Sequence, residues 1–463
     1  MDSRVQHFFE RIKGKKICMI GIGVSHTDLI GFLAEYGAKV TACDKRSREQ
    51  LGEALCSNFE AQGIELRLGA HYLEDIDADI VLRTPGMKFH QPLFDDLRRR
   101  NVVVTSEMEL FFDLCPCKTI AVTGSDGKTT TTTLISEFLR EAGRRVHIGG
   151  NIGRPLMPLI RDIRKNDFAV VELSSFQLIS MRQSPETAVV TNITPNHLDI
   201  HKDMQEYVDA KKNIFWHQGA FSRTVLNADN DITASFAQET RGETLMFSVK
   251  HPVENGAYLG DDGIIYMAVN GKAQKIMHAN EIKLPGIHNV ENYLAAICAV
   301  WEHVDVEAIY NVAVEFEGVE HRIELVRDEK GIKWYNDSIA TTPTRTIAGL
   351  DSFNQKLILI AGGYDKKLPF EPLAPKLMEK VKVLILTGAT ADKMEEAVKA
   401  YSGYDAEKIL ILRAQDLPDA VRIAHEQAKQ GDIVTMSPAC ASFDAYPNFE
   451  ARGQHFKKLV MAL

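Results

Sequence analysis

Cysteine is scarce: seven residues are scattered along 463, and only Cys115 and Cys117 stand close together. An odd, dispersed set does not make a disulfide framework and fits a reduced, cytoplasmic enzyme. Long apolar runs are missing too. The longest, such as LILIAGG from Leu357, have strand length, far short of the roughly 18 residues a membrane span needs. The opening residues, MDSRVQHFFERIKGKK, lack the apolar stretch of a signal peptide. Nor is there an excess of basic charge, since Lys+Arg number 54 against Asp+Glu 63, a net charge of -9. That argues against a general binder of nucleic acid or anionic membrane, while leaving room for a local basic pocket. Solenoid repeats and low-complexity tracts are absent. With 45% hydrophobic and 25% charged residues, what is present is an ordinary globular composition. The length accommodates about three domains of roughly 150 residues each.

Three segments each open with a strand–loop–helix signal. In KKICMIGIGVSHTDLIGFLAEYGAKVTACDKR, the β-run Ile17–Ile20 meets Gly21 and Gly23, a helix follows to about Tyr36, and Val40–Cys43 forms a second strand ending at Asp44. The strands ADIVLRTPG and NVVVTSE continue this parallel alternation to about residue 106. The second segment starts with KTIAVTGSDGKTTTTTLISEFLREAG and adds the strands FAVVEL and TAVVTNI. It then reaches GAYLGDDGIIYMAVNGKAQKIM, where Asp262-Gly263 and Asn270-Gly271 are hairpin-turn dipeptides. The third begins near Gly318, with strands IKWYNDS, KLILIAGG, VKVLILTG, KILILR and DIVTMS alternating with helices. The expected architecture is α/β with three domains: 1–106, Rossmann-like; 107–317, a P-loop-type ATPase; and 318–463, again Rossmann-like.

The strongest local motif is Gly124-Ser125-Asp126-Gly127-Lys128-Thr129-Thr130, between the strand TIAVT and a helix. Unpaired N–H groups at a helix start carry partial positive charge and suit phosphate oxygens. Lys128 can reach the terminal phosphates and Thr129 can ligate Mg²⁺. Glu172 ends the buried run FAVVE, where a nucleotide-bound Mg²⁺ needs a hard oxygen ligand. His197 and His201, four apart, lack the Glu of a zinc-binding H-E-x-x-H and any nearby cysteine, so structural zinc is not expected. Lys211 and Lys212, on composition and periodicity, read as solvated helix lysines. Gly21-Ile-Gly23-Val24-Ser25-His26 is a broken G-x-G-x-x-G with Asp44 at a ribose-reading distance. It admits either a plain tight turn or the binding of some nucleotide moiety. MSPACASFDAYPNFEARG follows a strand end, where α/β sheets bind ligands; Cys440 within it has no His/Asp partner pattern and reads as inert.

Taken together, these pieces resemble the Mur ligase family, ATP-dependent amino-acid ligases of peptidoglycan synthesis, over nearly the whole chain. VTGSDGKTT is similar to the family's phosphate loop. GNIGRP, ELSSFQL, NITPNHLD, YVDAK and LPGIHNVENYLAA, then EHR, NDSIAT and SPACASFD, extend the likeness. ELSSFQL and SPACASFD point within the family to the ligase that adds D-glutamate to UDP-N-acetylmuramoyl-L-alanine. The resemblance implies phosphorylation of the substrate carboxylate by ATP, attack by the D-glutamate amine on the acyl phosphate, and release of ADP and phosphate.

It also implies roles for residues. Ser125, Asp126, Gly127, Lys128, Thr129, Thr130 and Thr131 would cradle the ATP phosphates. Glu172 and Thr129 would hold one Mg²⁺. His197 and Lys211 would serve a second, with Lys211 carbamylated, so the family reading reverses the bland one for Lys211 and not for Lys212. Asn289, Asn292, Arg322 and Asp337 resemble ATP-side contacts, Asp337 at the ribose. Asn151 and Ser174 look like contacts to the muramoyl substrate. Val24, Ser25, Asp44, Lys45, Arg46 and the turn Thr84-Pro85-Gly86 resemble a cradle for UDP rather than NAD. D-glutamate would be met by Thr341, Lys366, Ser442 and the backbone at Phe443 and Phe449. Two departures stand out: Ile339 occupies a place where relatives carry Lys, and GGYDKK differs from the commoner spacing, with Lys366 chosen over Lys367. A monomer acting on small molecules, without nucleic acid or membrane insertion, is expected.

Overall fold

The computed structural model describes residues 2–153, 155–195, 201–366 and 368–463. Strands and helices alternate and build three sheets. The first is all parallel and centred on Lys16–Ile20, which pairs with Lys39–Asp44 on one side and Ile80–Arg83 on the other. Glu65–Leu68 and Val103–Thr105 are its edges. Ile17 to Ile20 are all buried, the near-continuous apolar run that a strand covered on both faces requires.

The second sheet has nine strands. Lys118–Thr123 lies between Phe168–Glu172 and Thr187–Val190, all parallel, so the ends of these three strands come together at one edge. The far side closes with the antiparallel strands Gly256–Leu259, Ile264–Val269 and Lys272–His278. The last two are joined at Asn270-Gly271, with φ of 50° and 72°, the left-handed pair that a two-residue hairpin turn demands.

The third sheet has six strands, ordered Glu324–Glu329, Ile332–Asn336, Ile433–Met436, Leu357–Gly362, Val381–Thr387 and Leu410–Arg413. All neighbours are parallel except the first two. Chain connectivity reverses between Leu357–Gly362 and Ile433–Met436, the kind of switch point at which open sheets bind ligands. The described residues divide into two compact units. One runs to Glu281 and includes His288–Val314, and so holds the first two sheets; the other holds Ile282–Ile287 and Glu315–Leu463. No described helix is long and apolar enough to cross a membrane.

Candidate active site

At the central sheet's edge the strand Lys118–Thr123 turns into the helix Lys128–Glu141 through Gly124 and Gly127, with φ of 151° and 79°. A Cβ would come within 1.8 Å of Thr191 Oγ1 at Gly124 and within 2.3 Å of Asn292 Oδ1 at Gly127, so the loop is glycine for space as well as conformation. The Asp126 N–H donates to Asn192 Oδ1 at 2.9 Å, and the Ser125 and Tyr207 hydroxyls share a bond of 2.9 Å. Lys128 folds over the loop, its Nζ donating to the Gly124 and Ser125 carbonyls at 2.9 Å each. Thr130 and Thr131 are buried in the helix behind it, and Thr131 Oγ1 donates to Asn292 Oδ1 at 3.2 Å. Asn292 Nδ2 in turn donates to Asn289 Oδ1 at 3.3 Å, which places both asparagines beside the phosphate loop.

Glu172 is buried at its strand end. It accepts from Thr129 Oγ1 at 2.8 Å and from Asn151 Nδ2 at 2.7 Å. A carboxylate and a hydroxyl, both hard oxygen donors, thus meet beside a phosphate loop, a donor set that fits Mg²⁺. Ser174 caps the short helix Ser175–Leu178 in a reciprocal box with Gln177, which accounts for the S-S-F-Q spacing.

Lys211 corrects the reading from periodicity. It is 2% exposed in the helix Met204–Trp216, and its Nζ donates to the Gly124 carbonyl at 2.8 Å and to Thr123 Oγ1 at 3.2 Å. Burial, reinforced by Lys128, pushes its pKa well below the ordinary lysine value, so the amine is held toward its neutral form. Lys212, one position on, pairs with Glu239 and lies over the Trp216 and Phe236 rings. Its side chain is only 13% exposed, so it is a packed surface lysine rather than the solvated one expected, and none of these partners belongs to the Gly124 loop. His197 lies outside the described residues. His201 does not: it is buried, with Nε2 2.9 Å from Ser175 Oγ and Nδ1 3.2 Å from Glu206.

In the first sheet, the Asp44 carboxylate accepts from the Ile22 N–H at 2.7 Å and from the Arg46 N–H at 2.9 Å. Arg46 also forks onto it through Nε and Nη2, and Nη2 reaches the Ile22 carbonyl at 2.6 Å. Burial works against the charge, but these bonds from Arg46 and Ile22 hold Asp44 down to about 2. Arg46 therefore braces the loop after the first strand as well as standing beside it. His26, where a third glycine would be, places Nδ1 2.9 Å from the Gly21 carbonyl, and burial lowers its pKa to about 4, so the ring is neutral. Val24 and Ser25 open the helix Val24–Glu35, and Lys45 is exposed between Asp44 and Arg46. Thr84, Pro85 and Gly86 follow the strand Ile80–Arg83. A cavity of about 240 Å³ runs from Pro85 and Gly86 to Phe176, His201 and Glu206, joining this turn to the ELSSFQL segment. Arg83 spans the same boundary, donating to the Phe176 carbonyl at 3.1 Å and to Ser180 Oγ at 2.7 Å.

In the other unit, Asp337 follows the strand Ile332–Asn336 and accepts from Ser437 Oγ at 2.6 Å; burial raises its pKa to about 6. Arg322 follows His321, whose φ is 66°. Lys366 Nζ donates to Thr341 Oγ1 at 3.3 Å, so two of the expected D-glutamate contacts do meet. Lys367 lies outside the described residues. Ser442 is buried and Phe443 exposed in the loop after Ile433–Met436. The Phe449 carbonyl accepts from Ser338 Oγ at 2.8 Å, so that backbone group already has a partner. Cys440 is buried against Thr390, and burial pushes its thiol up to about 11, in keeping with an inert cysteine. Tyr207, Thr191, Asn192 and Arg452 escaped the reading of the sequence. All four stand inside segments quoted above, Arg452 near the end of MSPACASFDAYPNFEARG, which was the only signal available.

Comparison with known proteins gives a concordant picture. The Mur ligase middle domain matches residues 122–300, and the Mur ligase glutamate ligase domain matches residues 321–440. The chain is 50% identical over 468 residues to the UDP-N-acetylmuramoylalanine–D-glutamate ligase of Acetivibrio thermocellus, covering 100% of both chains. It is 48% identical to the protein of the same name from Clostridium acetobutylicum, covering 99% of each. Among solved structures it resembles the UDP-N-acetylmuramate-alanine ligase of Thermotoga maritima, with a TM-score of 0.61 at 18% identity, covering 97% of this chain and 99% of that one.

Proposed function

From the premise that the chain belongs to the Mur ligase family, we propose that it joins D-glutamate to UDP-N-acetylmuramoyl-L-alanine, converting ATP to ADP and phosphate. The observation that carries this reading is the hydrogen-bonded Thr129–Glu172–Asn151 group set against the Lys128 loop. The reaction must bring two anions together, the substrate carboxylate and the γ-phosphate of ATP. Lys128 and the first turn of its helix supply positive charge where the transferred phosphoryl group would lie. Bound there, Mg²⁺ would offset the remaining negative charge, held by Thr129 and Glu172, with a second ion at His197 and Lys211. A buried lysine amine held neutral can add CO₂ and lose a proton, which would make Lys211 an anionic oxygen donor. A bicarbonate-derived ¹³C carbonyl signal, lost in Lys211→Met, tests that step.

The acyl phosphate formed from the carboxylate is then attacked by the uncharged amine of D-glutamate, and phosphate leaves as the amide forms. Residues 1–106 would take the UDP moiety, 107–317 ATP and the reacting carboxylate, and 318–463 the amino acid, in a cytoplasmic monomer. Asn289 and Asn292 lie in the first compact unit, and Arg322 and Asp337 lie in the second. The decisive experiment measures phosphate release with ATP, UDP-N-acetylmuramoyl-L-alanine and D-glutamate, omitting each in turn. Release requiring all three is expected. Equal turnover with L-alanine or a diamino acid in place of D-glutamate would overturn the reading.

A further inference from the structure

We propose that Arg452 is the positioning residue of the amino-acid site, its guanidinium clamping together the loops that carry Thr341 and Ser442. The inference rests on the ligase reading above. Arg452 sits in the first turn of the helix Phe449–Met461 and is 5% exposed. Its Nε donates to Ser338 Oγ at 3.0 Å, and Nη2 donates to the Ser338 carbonyl at 2.9 Å and the Cys440 carbonyl at 3.1 Å. Nη1 donates to the Ala441 carbonyl at 3.1 Å. One planar group thus fastens the loop after Ile332–Asn336 to the loop after Ile433–Met436, segments about a hundred residues apart in the chain. Thr341 lies three residues beyond Ser338, and Ser442 directly follows Ala441.

Three observations point to positioning rather than simple packing. Arg452 donates to a hydroxyl and three carbonyls, with no carboxylate among these acceptors. Burying a cation with no carboxylate hydrogen-bonded to it is costly, even with Asp444 and Asp337 acting on it from further off, and a neutral side chain of similar volume fills space more cheaply. A guanidinium holds five donors in a rigid planar fork, here spread over four acceptors on two loops; an ammonium has three donors at a single point and cannot span that set. The second loop also needs holding, because Ala439 adopts φ of 58°, a left-handed conformation unfavourable for a residue with a Cβ. Finally, the clamp extends to a third loop. The Tyr364 N–H donates to the same Ala441 carbonyl at 2.9 Å, and a Cβ at Gly363 would come within 2.4 Å of that oxygen. Lys366 follows two residues after Tyr364 and reaches Thr341. Arg452 therefore connects every loop from which a D-glutamate contact is expected, without itself being one of those contacts.

The test uses the full chain and steady-state kinetics for each substrate, with the thermal midpoint of every variant measured alongside. Arg452→Lys keeps the charge and loses the fork; it should raise the KM for D-glutamate tenfold or more while the KM values for ATP and the UDP-substrate stay within threefold. Ser338→Ala removes one acceptor and leaves the guanidinium in place; a smaller rise, about threefold, is expected in the same direction, and this variant answers the question if Arg452→Lys does not fold. Arg452 lines a cavity of about 110 Å³, so added guanidinium should lower the D-glutamate KM of Arg452→Ala, and methylammonium should not. An unchanged D-glutamate KM in folded variants, or a parallel rise in all three KM values, would overturn the inference. Failure of the unaltered enzyme to consume D-glutamate would instead overturn the functional reading beneath it.

Discussion

The phosphate loop and the amino-acid clamp occupy the same kind of place, the carboxyl edge of an open sheet, and are made by opposite means. The first is seven consecutive residues between one strand and one helix, and its geometry follows from two glycines and a helix start. The second is dispersed over Ser338, Thr341, Lys366 and Ser442 and depends on one guanidinium entering from a helix near the end of the chain. A contiguous site tolerates having its functional lysine folded onto its own carbonyls, as Lys128 is, because the backbone holds the shape. A dispersed one needs a group devoted to assembly.

If that contrast holds, single substitutions should act differently in the two places. On the proposed assignment, Lys128→Ala removes charge at the transferred phosphoryl group and leaves the loop's backbone standing. Turnover should fall by about 10²-fold or more, the scale of losing one transition-state donor, while binding of the UDP-substrate changes little. Near-normal turnover in the variant would mean that the loop amides suffice and Lys128 is misassigned. In the dispersed site each contact should count for less and act on affinity. Lys366→Ala and Ser442→Ala should each raise the D-glutamate KM about tenfold, roughly 1.4 kcal/mol, with the other two KM values within about threefold. A larger effect from Lys367→Ala would shift the contact along GGYDKK by one residue.

The proposed UDP cradle is intermediate, and it sharpens the comparison. Its key pair, Asp44 and Arg46, is local in sequence, yet Arg46 is occupied in holding Asp44 and the Ile22 carbonyl. Arg46→Ala should therefore raise the KM for the UDP-substrate about fivefold by loosening the loop, with the ATP KM nearly intact. Steady-state kinetics on both substrates checks this; equal damage to both would mean that the domain's role is misread.

What could be read from the sequence follows the same division. Buried strands declared themselves as apolar runs, the phosphate loop as glycines between a strand and a helix, and the Ile264–His278 hairpin as Asn270-Gly271. A strand-terminal glutamate alone reads as a solvated loop residue; Glu172 was singled out only because its strand end stands beside the loop of residues 124–130. Lys211 was not legible, because a lysine in a helix carries no mark of which face is enclosed; only its bonds to Gly124 and Thr123 do. Arg452 was invisible for a related reason. Its partners are mainly backbone carbonyls, which have no residue-type signature, and they lie 11 to 114 positions away.

The smallest effect expected tests a cost of function in the second unit. Asp337 has its pKa raised by burial from 3.8 to about 6, against the opposing bond from Ser437. Between those two values the folded chain binds more protons at this site than the unfolded chain does. The group's contribution to stability is therefore fully present below 3.8 and is lost as pH rises through about 6. At pH 8 the enzyme carries a buried, ionised carboxylate at a stability cost, which the proposed role of Asp337 as acceptor for the ATP ribose would explain. Asp337→Asn should then raise the thermal midpoint at pH 8 and give a smaller gain as pH falls toward 4. It should also weaken ATP, raising its KM about threefold, the scale of one neutral hydrogen bond. In the unaltered enzyme the ATP KM should rise by a similar factor as pH falls through 6, whereas in the Asn variant this step should be flat. An unchanged pH profile in Asp337→Asn, with no gain in midpoint at pH 8, would remove Asp337 from the nucleotide site and leave its carboxylate as a structural partner of Ser437.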